Sequence, residues 1–235
     1  MKSIKIMSCI LAAGMLFTSC NMSNTGKGAL IGGGSGAAVG AGLGAIFGKG
    51  KGAAIGAVVG AGTTAGALIG KKMDKAAEQA KQVEGAQVEQ VTDNNGLQAV
   101  KVTFDSGILF STSSSNLSSS AKSSLSKFAN DVLNQNRDMD VTIYGYTDNQ
   151  GWKNSTAEQS YQKNLNLSQE RAQSVASYLL ACGVSTNQIK SVQGMGEANP
   201  IADNSTAAGR QENRRVEIYL YASQQMIQQA EAGTL

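Results

Sequence analysis

From Gly28 to Gly60 a glycine stands at every fourth position: Gly28, Gly32, Gly36, Gly40, Gly44, Gly48, Gly52, Gly56 and Gly60, with small or aliphatic residues between them. After a shift of two, the stripe continues as Gly62, Gly66 and Gly70. A glycine inside a helix costs about 1 kcal/mol relative to alanine, so such a run points to a helix face on which another backbone comes close. The spacing predicts a helical hairpin over residues 28–72, with arms at 29–47 and 53–69 joined by Gly48-Lys49-Gly50-Lys51-Gly52. At 1.5 Å per residue the arms would measure about 28 Å and about 26 Å, close to a hydrocarbon core of about 30 Å. Three readings stay open for it: a hairpin inserted in the bilayer, a compact hairpin lying on the membrane or self-associating as a homo-oligomer, and a disordered spacer. The spacer fits worst, because flexible glycine linkers are interleaved with serine rather than with Ile, Val and Leu.

The first residues set the compartment. Lys2 and Lys5 precede an apolar stretch over residues 6–17, and Thr18-Ser19-Cys20 follows, which is the order of a secretory signal. That stretch is too short to span a bilayer. Leu16-Phe17-Thr18-Ser19-Cys20 resembles a bacterial lipobox, with a loose match at Phe17. Residues 1–19 are then a lipoprotein signal, residues 20–27 a lipidated N-terminus, and Cys20 carries lipid. Ordinary signal cleavage, leaving an unmodified Cys20, is the alternative.

Removing residues 1–19 takes away two lysines and no acids, so the formal charge falls from +3 to +1. A chain this close to neutral lacks the concentrated basic surface that nucleic acid requires. Cys9 leaves with the signal, Cys20 takes lipid and Cys182 is left alone, so no disulfide framework is expected within one mature chain. The chain contains no histidine, which removes serine–histidine and cysteine–histidine catalysis and the commonest metal ligand. No close pair of acids with an acid–base division of labour stands out either, so neither an enzyme nor a cofactor or metal is expected.

Beyond Lys71-Lys72, residues 73–96 read as a polar helical stalk, interrupted at Gly85, leading into an entry hairpin turned at Asp93-Asn94-Asn95-Gly96. Alternation at Leu97, Ala99 or Val100, Val102 and Phe104 then opens a domain over residues 97–222. Ala121, Leu125, Phe128 and Val132 form one helical stripe after a serine-rich loop. A strand covers residues 141–146. Ala172, Val175, Ala176 and Leu179 mark a second helix, with Ser168 as its cap and Gly183 as its stop. Strand patterns recur at 189–193 and 216–221, and residues 223–235 read as a polar tail. The order β-α-β-α-β-β predicts an α+β domain with a mixed sheet and helices on one face, preceded by the glycine-zipper helical hairpin.

Two polar clusters fall where a scaffold presents groups for binding: Thr147-Asp148-Asn149-Gln150-Gly151 after the 141–146 strand, and Asn164 to Ala172 at the expected start of the second helix. Arg171 would then lie in that helix's first turn and hold a carboxylate, while Asp148 holds an ammonium. One fixed cation and one fixed anion select a zwitterion. The same spacing equally allows Asp148 and Arg171 simply to pair with each other.

The series Tyr146-Thr147-Asp148, Asn164, Leu167-Ser168, Arg171-Ala172, Gly194-Met195-Gly196-Glu197, Pro200-Ile201-Ala202, Gly209-Arg210 and Asn213-Arg214-Arg215-Val216-Glu217-Ile218 resembles the OmpA/MotB C-terminal domain, the peptidoglycan-associating module of outer-membrane proteins. With a lipobox and a glycine-rich segment in front, the chain is most similar to the YiaD-type lipoproteins. The resemblance implies non-covalent binding of the diaminopimelate residue of peptidoglycan stem peptides, through Asp148 for the ammonium and Arg171 for the carboxylate. Thr147, Asn164 and Arg214 match further family positions that contact or orient the ligand, whereas Arg210 and Arg215 are expected to serve structure or a solvated face, with a direct ligand role as the alternative for Arg210. One departure stands out: between Gly151 and Asn164 the chain carries roughly eight residues more than the family usually has, Trp152 and Tyr161 among them.

These readings predict a lipoprotein held in the outer membrane by the Cys20 lipid, with its C-terminal domain in the periplasm gripping peptidoglycan. The alternative is a glycine-zipper-driven oligomeric membrane or envelope-assembly factor that the wall-binding domain merely positions.

Overall fold

The computed structural model describes residues 64–92 and 98–235. The signal segment, Cys20, the arm at 29–47, most of the arm at 53–69 and the Asp93-Asn94-Asn95-Gly96 turn lie outside the described residues.

Helix α1, Thr64–Lys81, runs through the boundary expected at residue 72 without a break. Ala65, Ile69, Met73, Ala76, Ala77 and Ala80 recur at helical spacing and are buried, so the helix docks on the domain and is not a free stalk. Lys72 fixes it further with an ion pair of 2.6 Å to Asp138, and Gln79 accepts a hydrogen bond of 2.8 Å from Asn136. Gly85, at φ +77°, turns the chain into strand β1, Ala86–Thr92, where a helix was expected. Pairing decides this: β1 hydrogen-bonds antiparallel to β2, Gln98–Asp105, from Ala86↔Phe104 to Thr92↔Gln98, which overrides the helical preference of its Gln and Glu residues.

A single turn α2, Ser106–Leu109, leads to α3, Ser119–Phe128, which is capped by the Ser118 hydroxyl and continues into a π turn at Ala129–Leu133. Strand β3, Met139–Gly145, helix α4, Ala157–Ala181, strand β4, Ile189–Gly194, and the short helix α5, Ala207–Asn213, follow. Strand β5, Arg215–Ala222, and helix α6, Gln224–Glu231, end the chain. The sheet order is β1-β2-β5-β3-β4, with β3 and β4 parallel and the other pairs antiparallel. The mixed sheet and the four strands read from the sequence are present, and β1 extends them at one edge.

Helices pack on the sheet face that carries Val102, Phe104, Val141, Ile143, Ile218 and Leu220. The predicted stripe Ala121, Leu125, Phe128 and Val132 is buried there, and Phe128 meets Phe104 edge to face at 5.9 Å. The expected tail at 223–235 is instead largely helix α6, capped by Ser223, with Met226, Ile227 and Ala230 buried in the same core as α1. Three apolar residues on one face were enough to dock it, despite the surrounding glutamines. Cys182 forms the C-cap of α4 and is half-buried.

The opposite sheet face gathers Tyr144, Tyr146, Tyr219 and Tyr221 with Val91 and Ala99. Tyr219 donates to Glu217 at 2.8 Å, and the Arg215 guanidinium lies 3.8 Å from the centroid of the Tyr146 ring while pairing with Glu217 at 2.8 Å. Arg215 is therefore structural, as expected. Burial, helped by the Glu217 charge, raises the pKa of Tyr146 and Tyr219; burial likewise raises that of Tyr221, and pushes that of Tyr144 up to about 12. An unfolded tyrosine ionises near 10, so the stability held in these protonated phenols is intact below about pH 10 and is lost as pH climbs to about 12 and beyond. Tyr144 alone accounts for up to about 3 kcal/mol of this. An alkaline titration should show tyrosinate absorbance appearing together with loss of near-ultraviolet circular dichroism. Ionisation of all the tyrosines near pH 10 with the fold intact would contradict the assignment.

Candidate functional site

The antiparallel register of β3 and β5 aligns Gly145 with Val216, which brings the residues just after β3 alongside those just before β5. Thr147 and Asp148 thereby meet Arg214. The Thr147 amide donates to the Gly196 carbonyl at 2.8 Å, pinning the strand exit. Asp148 is buried, accepts from the Gln150 amide at 3.0 Å and forms a short ion pair with Arg214. Arg214 reaches in turn to Gln211, and the Gln211 amide nitrogen holds both oxygens of Asp105 at 2.6 and 2.7 Å. Asp105 also caps α2 through the Gly107 amide. Asp148 is thus the end of a continuous chain of charged and amide groups anchored at the end of β2.

Arg171 arrives from the helix side. Helix α4 crosses the sheet at two glycines: a Cβ on Gly145 would stand 2.2 Å from the Ser168 carbonyl oxygen, and one on Gly194 would stand 2.3 Å from the Gln169 amide nitrogen. This contact sets the helix at its closest approach, and Arg171 follows one turn later. It is only 4 % exposed. Its Nε donates to the Ser114 carbonyl at 3.0 Å, and its guanidinium lies 5.2 Å from the Phe110 ring centroid. Among the described residues no carboxylate is within ion-pair distance of it, and its two terminal nitrogens make no hydrogen bond. Burial, and then the neighbouring Arg214 charge, lower its pKa, with Asp148 acting in the opposite sense.

The pairing anticipated as an alternative, Asp148 with Arg171, does not form; Asp148 pairs with Arg214. The helix start was also misplaced. Thr156 and Gln159 make a reciprocal capping box, so α4 begins at Ala157, and Arg171 lies fourteen residues beyond that start, far from the helix's first turn and its positive end. Ser168, expected as the cap, is buried mid-helix, where its hydroxyl bonds the Leu165 carbonyl and the Gly196 amide. The Thr-x-x-Gln box is visible in the sequence at Thr156-Ala157-Glu158-Gln159. The residues after Gly151 form the loop before α4, and those from Ala157 its first turns.

Asn164 is buried and fully engaged: its amide donates to the carbonyls of Asp148 and Gln150, at 3.4 and 3.3 Å, and its oxygen accepts from the Trp152 indole at 2.7 Å. It stitches the 148–152 loop to α4, so it orients Asp148 and has no hydrogen-bonding group left over. Thr147 is the converse case, a buried hydroxyl with no hydrogen-bond partner. Arg210 lies outside the site, bonded to the carbonyls of Asn204 and Ser205. Asp148, Thr147, Arg171 and Arg214 all border one cleft of about 520 Å³, which also takes in Phe110, Gln211 and Trp152. That volume suits a small ligand. Sequence reasoning missed Gln211 and Asp105, because nothing local signals that β2 and β5 bring them together.

A family model described as the OmpA family matches residues 109–214, and one described as a YMGG-like Gly-zipper matches residues 1–74. The probable lipoprotein YiaD of Escherichia coli (strain K12) is 44 % identical over 119 residues, covering 51 % of this chain and 47 % of that protein. The peptidoglycan-binding protein ArfA of Mycobacterium tuberculosis (strain ATCC 25618 / H37Rv) is 49 % identical over 88 residues, covering 37 % of this chain and 24 % of ArfA. The chain thus spans less than half the length of either relative. Among solved structures, the cell wall anchor of the T6SS from Pseudomonas aeruginosa superposes with a TM-score of 0.51 at 26 % identity, covering 64 % of this chain and 97 % of that one. Most of the residues that line the cleft fall within 109–214, the stretch that the OmpA family model matches, and the YMGG-like Gly-zipper match lies ahead of it.

Proposed function

We propose that this domain binds, without chemistry, the zwitterionic end of the diaminopimelate residue in peptidoglycan stem peptides, and so ties its carrier to the cell wall. The observation that carries the reading is Arg171: a buried guanidinium bordering a cleft, with no carboxylate of its own among the described residues. A ligand carboxylate supplies the missing partner through a bidentate, charge-assisted pair. Asp148, already held by Arg214 through Oδ2, turns its remaining capacity to the ligand ammonium. The unpartnered Thr147 hydroxyl provides one further bond. The printed descriptions of ArfA as peptidoglycan-binding and of the solved neighbour as a cell wall anchor support the same partner class.

Under this reading Cys20 carries the lipid that holds the chain in the outer membrane, with the domain in the periplasm. Two acyl chains suffice for stable anchoring, since each buried methylene contributes about 0.8 kcal/mol. Many anchored copies facing a repeating lattice then tolerate a weak individual contact. A second reading, assembly of the chain through its glycine stripe, is favoured by the zipper match over residues 1–74.

Retention of the full-length chain on purified sacculi tests the site. Asp148→Ala and Arg171→Ala each leave a charged partner unmatched, so each should lower retention by about 5- to 100-fold, corresponding to a loss of about 1 to 3 kcal/mol. Undiminished retention of both variants rejects the site. The same assay on a chain lacking residues 28–63, which spares Ile69 and the rest of the buried face of α1, separates the two readings. Unchanged retention by the deleted chain favours the tether, and loss of retention favours zipper-driven assembly.

A further inference from the structure

The charged clasp accounts for only part of the cleft. Three cations, Arg171, Arg214 and Lys153, border it against one acid, Asp148, so a zwitterion bound there leaves the positive excess uncancelled. The cation left over, Lys153, belongs to the stretch between Gly151 and Asn164. Within that segment Trp152 is fixed at two points: its indole N–H donates to the buried Asn164 at 2.7 Å, and its backbone amide donates to the buried Ser160 hydroxyl at 3.0 Å. Lys163, which does not border the cleft, stands 5.8 Å from the ring centroid and is held by Ser155 at 2.9 Å. An aromatic ring tied down this firmly at the rim of a half-open cleft loses little entropy when a ligand packs on it.

We infer that Trp152 and Lys153 form a second subsite, continuous with the clasp, that takes the acidic residue next to the zwitterionic one in a peptide ligand: the ring packs on its backbone, and the lysine pairs with its carboxylate. This rests on the reading of Asp148 and Arg171 as the clasp and adds selection for an acidic neighbour. The chemistry fits a stem peptide in which an isoglutamate with a free carboxylate precedes the diamino acid, and it disfavours the amidated form of that residue.

Trp152 is the single tryptophan of the chain, so its emission reports the subsite directly. The full-length protein, followed by emission and by calorimetry, and each variant, followed by calorimetry, are titrated with three probes: free diaminopimelate, the tripeptide Ala-isoglutamate-diaminopimelate, and the same tripeptide with the isoglutamate carboxylate amidated. The acidic tripeptide should change the emission and bind at least about five-fold more tightly than the free amino acid, as one added contact of roughly 1 kcal/mol implies. Trp152→Ala should weaken the acidic tripeptide more than free diaminopimelate and so remove that advantage. Lys153→Ala should abolish the preference for acid over amide. Trp152→Phe, which keeps a ring but not the bond to Asn164, should retain most of the advantage. The inference falls if the acidic tripeptide binds no more tightly than the free amino acid, or if Trp152→Ala weakens both probes by the same factor, which marks a purely structural role. If neither probe binds the wild-type chain, the clasp itself is wrong and the subsite goes with it.

Discussion

Replacing Arg171 with methionine should abolish retention on sacculi while leaving the melting temperature unchanged or higher. Most binding-site substitutions in a buried position cost stability, so the opposite sign is diagnostic. Arg171 is 4 % exposed, and burial works against its charge, as does Arg214; only Asp148 favours it, and more weakly. A buried charge with no ion-pair partner is a net liability in the unliganded fold, and apolar replacements of buried charges are often neutral or stabilising by about 1 to 4 kcal/mol. Methionine has a similar reach and keeps contact with Phe110. What is lost is the bond from Nε to the Ser114 carbonyl, worth about 1 to 2 kcal/mol, which sets the lower bound on the change. For the described fold a gain of 1 kcal/mol is about 2 to 4 °C. A fall of several degrees with retention preserved would mean that Arg171 is a structural residue whose partner is the Ser114 loop. Stored instability of this kind is what a site kept open for an anion should show.

Most of the fold could be read from period alone. The stripe at Ala121, Leu125, Phe128 and Val132 and the alternation at 141–146 each depend on local burial, and each was in place. The misreadings share a physical cause. Residues 73–81, 86–92 and 224–231 are polar in composition and short of large apolar side chains, yet each is recruited by a partner distant in sequence: α1 and α6 join the core together, and β1 follows β2. Tertiary pairing, invisible to a local window, overrode their local character. The site divides the same way. Thr147, Asp148 and Arg171 were legible as polar groups at element ends or in a family motif, and the cleft brings them together. The identity of each partner was not legible. Whether Asp148 pairs with Arg171 or Arg214 depends on which residue the β3–β5 register sets opposite Thr147, and that register is fixed only when the sheet forms.

A large loss of stability from a single small change should come from Gly145→Ala. A methyl group there would stand 2.2 Å from the Ser168 carbonyl oxygen and 3.1 Å from its carbonyl carbon, both backbone atoms of α4 that no side-chain rotation can move aside. The helix must either lift off β3 or shift along it. Overpacking in a well-filled core costs typically about 1 to 3 kcal/mol and more where backbone must move, so a loss of about 3 kcal/mol, or roughly 6 to 12 °C, is expected. The same displacement reaches function, because Ser168 is one turn from Arg171, and its hydroxyl also ties the helix to the Gly196 amide at 2.9 Å. Lifting α4 by even 1 Å carries Arg171 away from Asp148, which stays anchored to Arg214 on the sheet. Binding should therefore fail at temperatures where the variant is still fully folded, whereas Gly70→Ala, where an added Cβ meets only the Gln98 side chain at 3.8 Å, should leave binding intact. Should Gly145→Ala melt and bind like the wild type, the close crossing of α4 over β3 would not be what sets the span between the two charges.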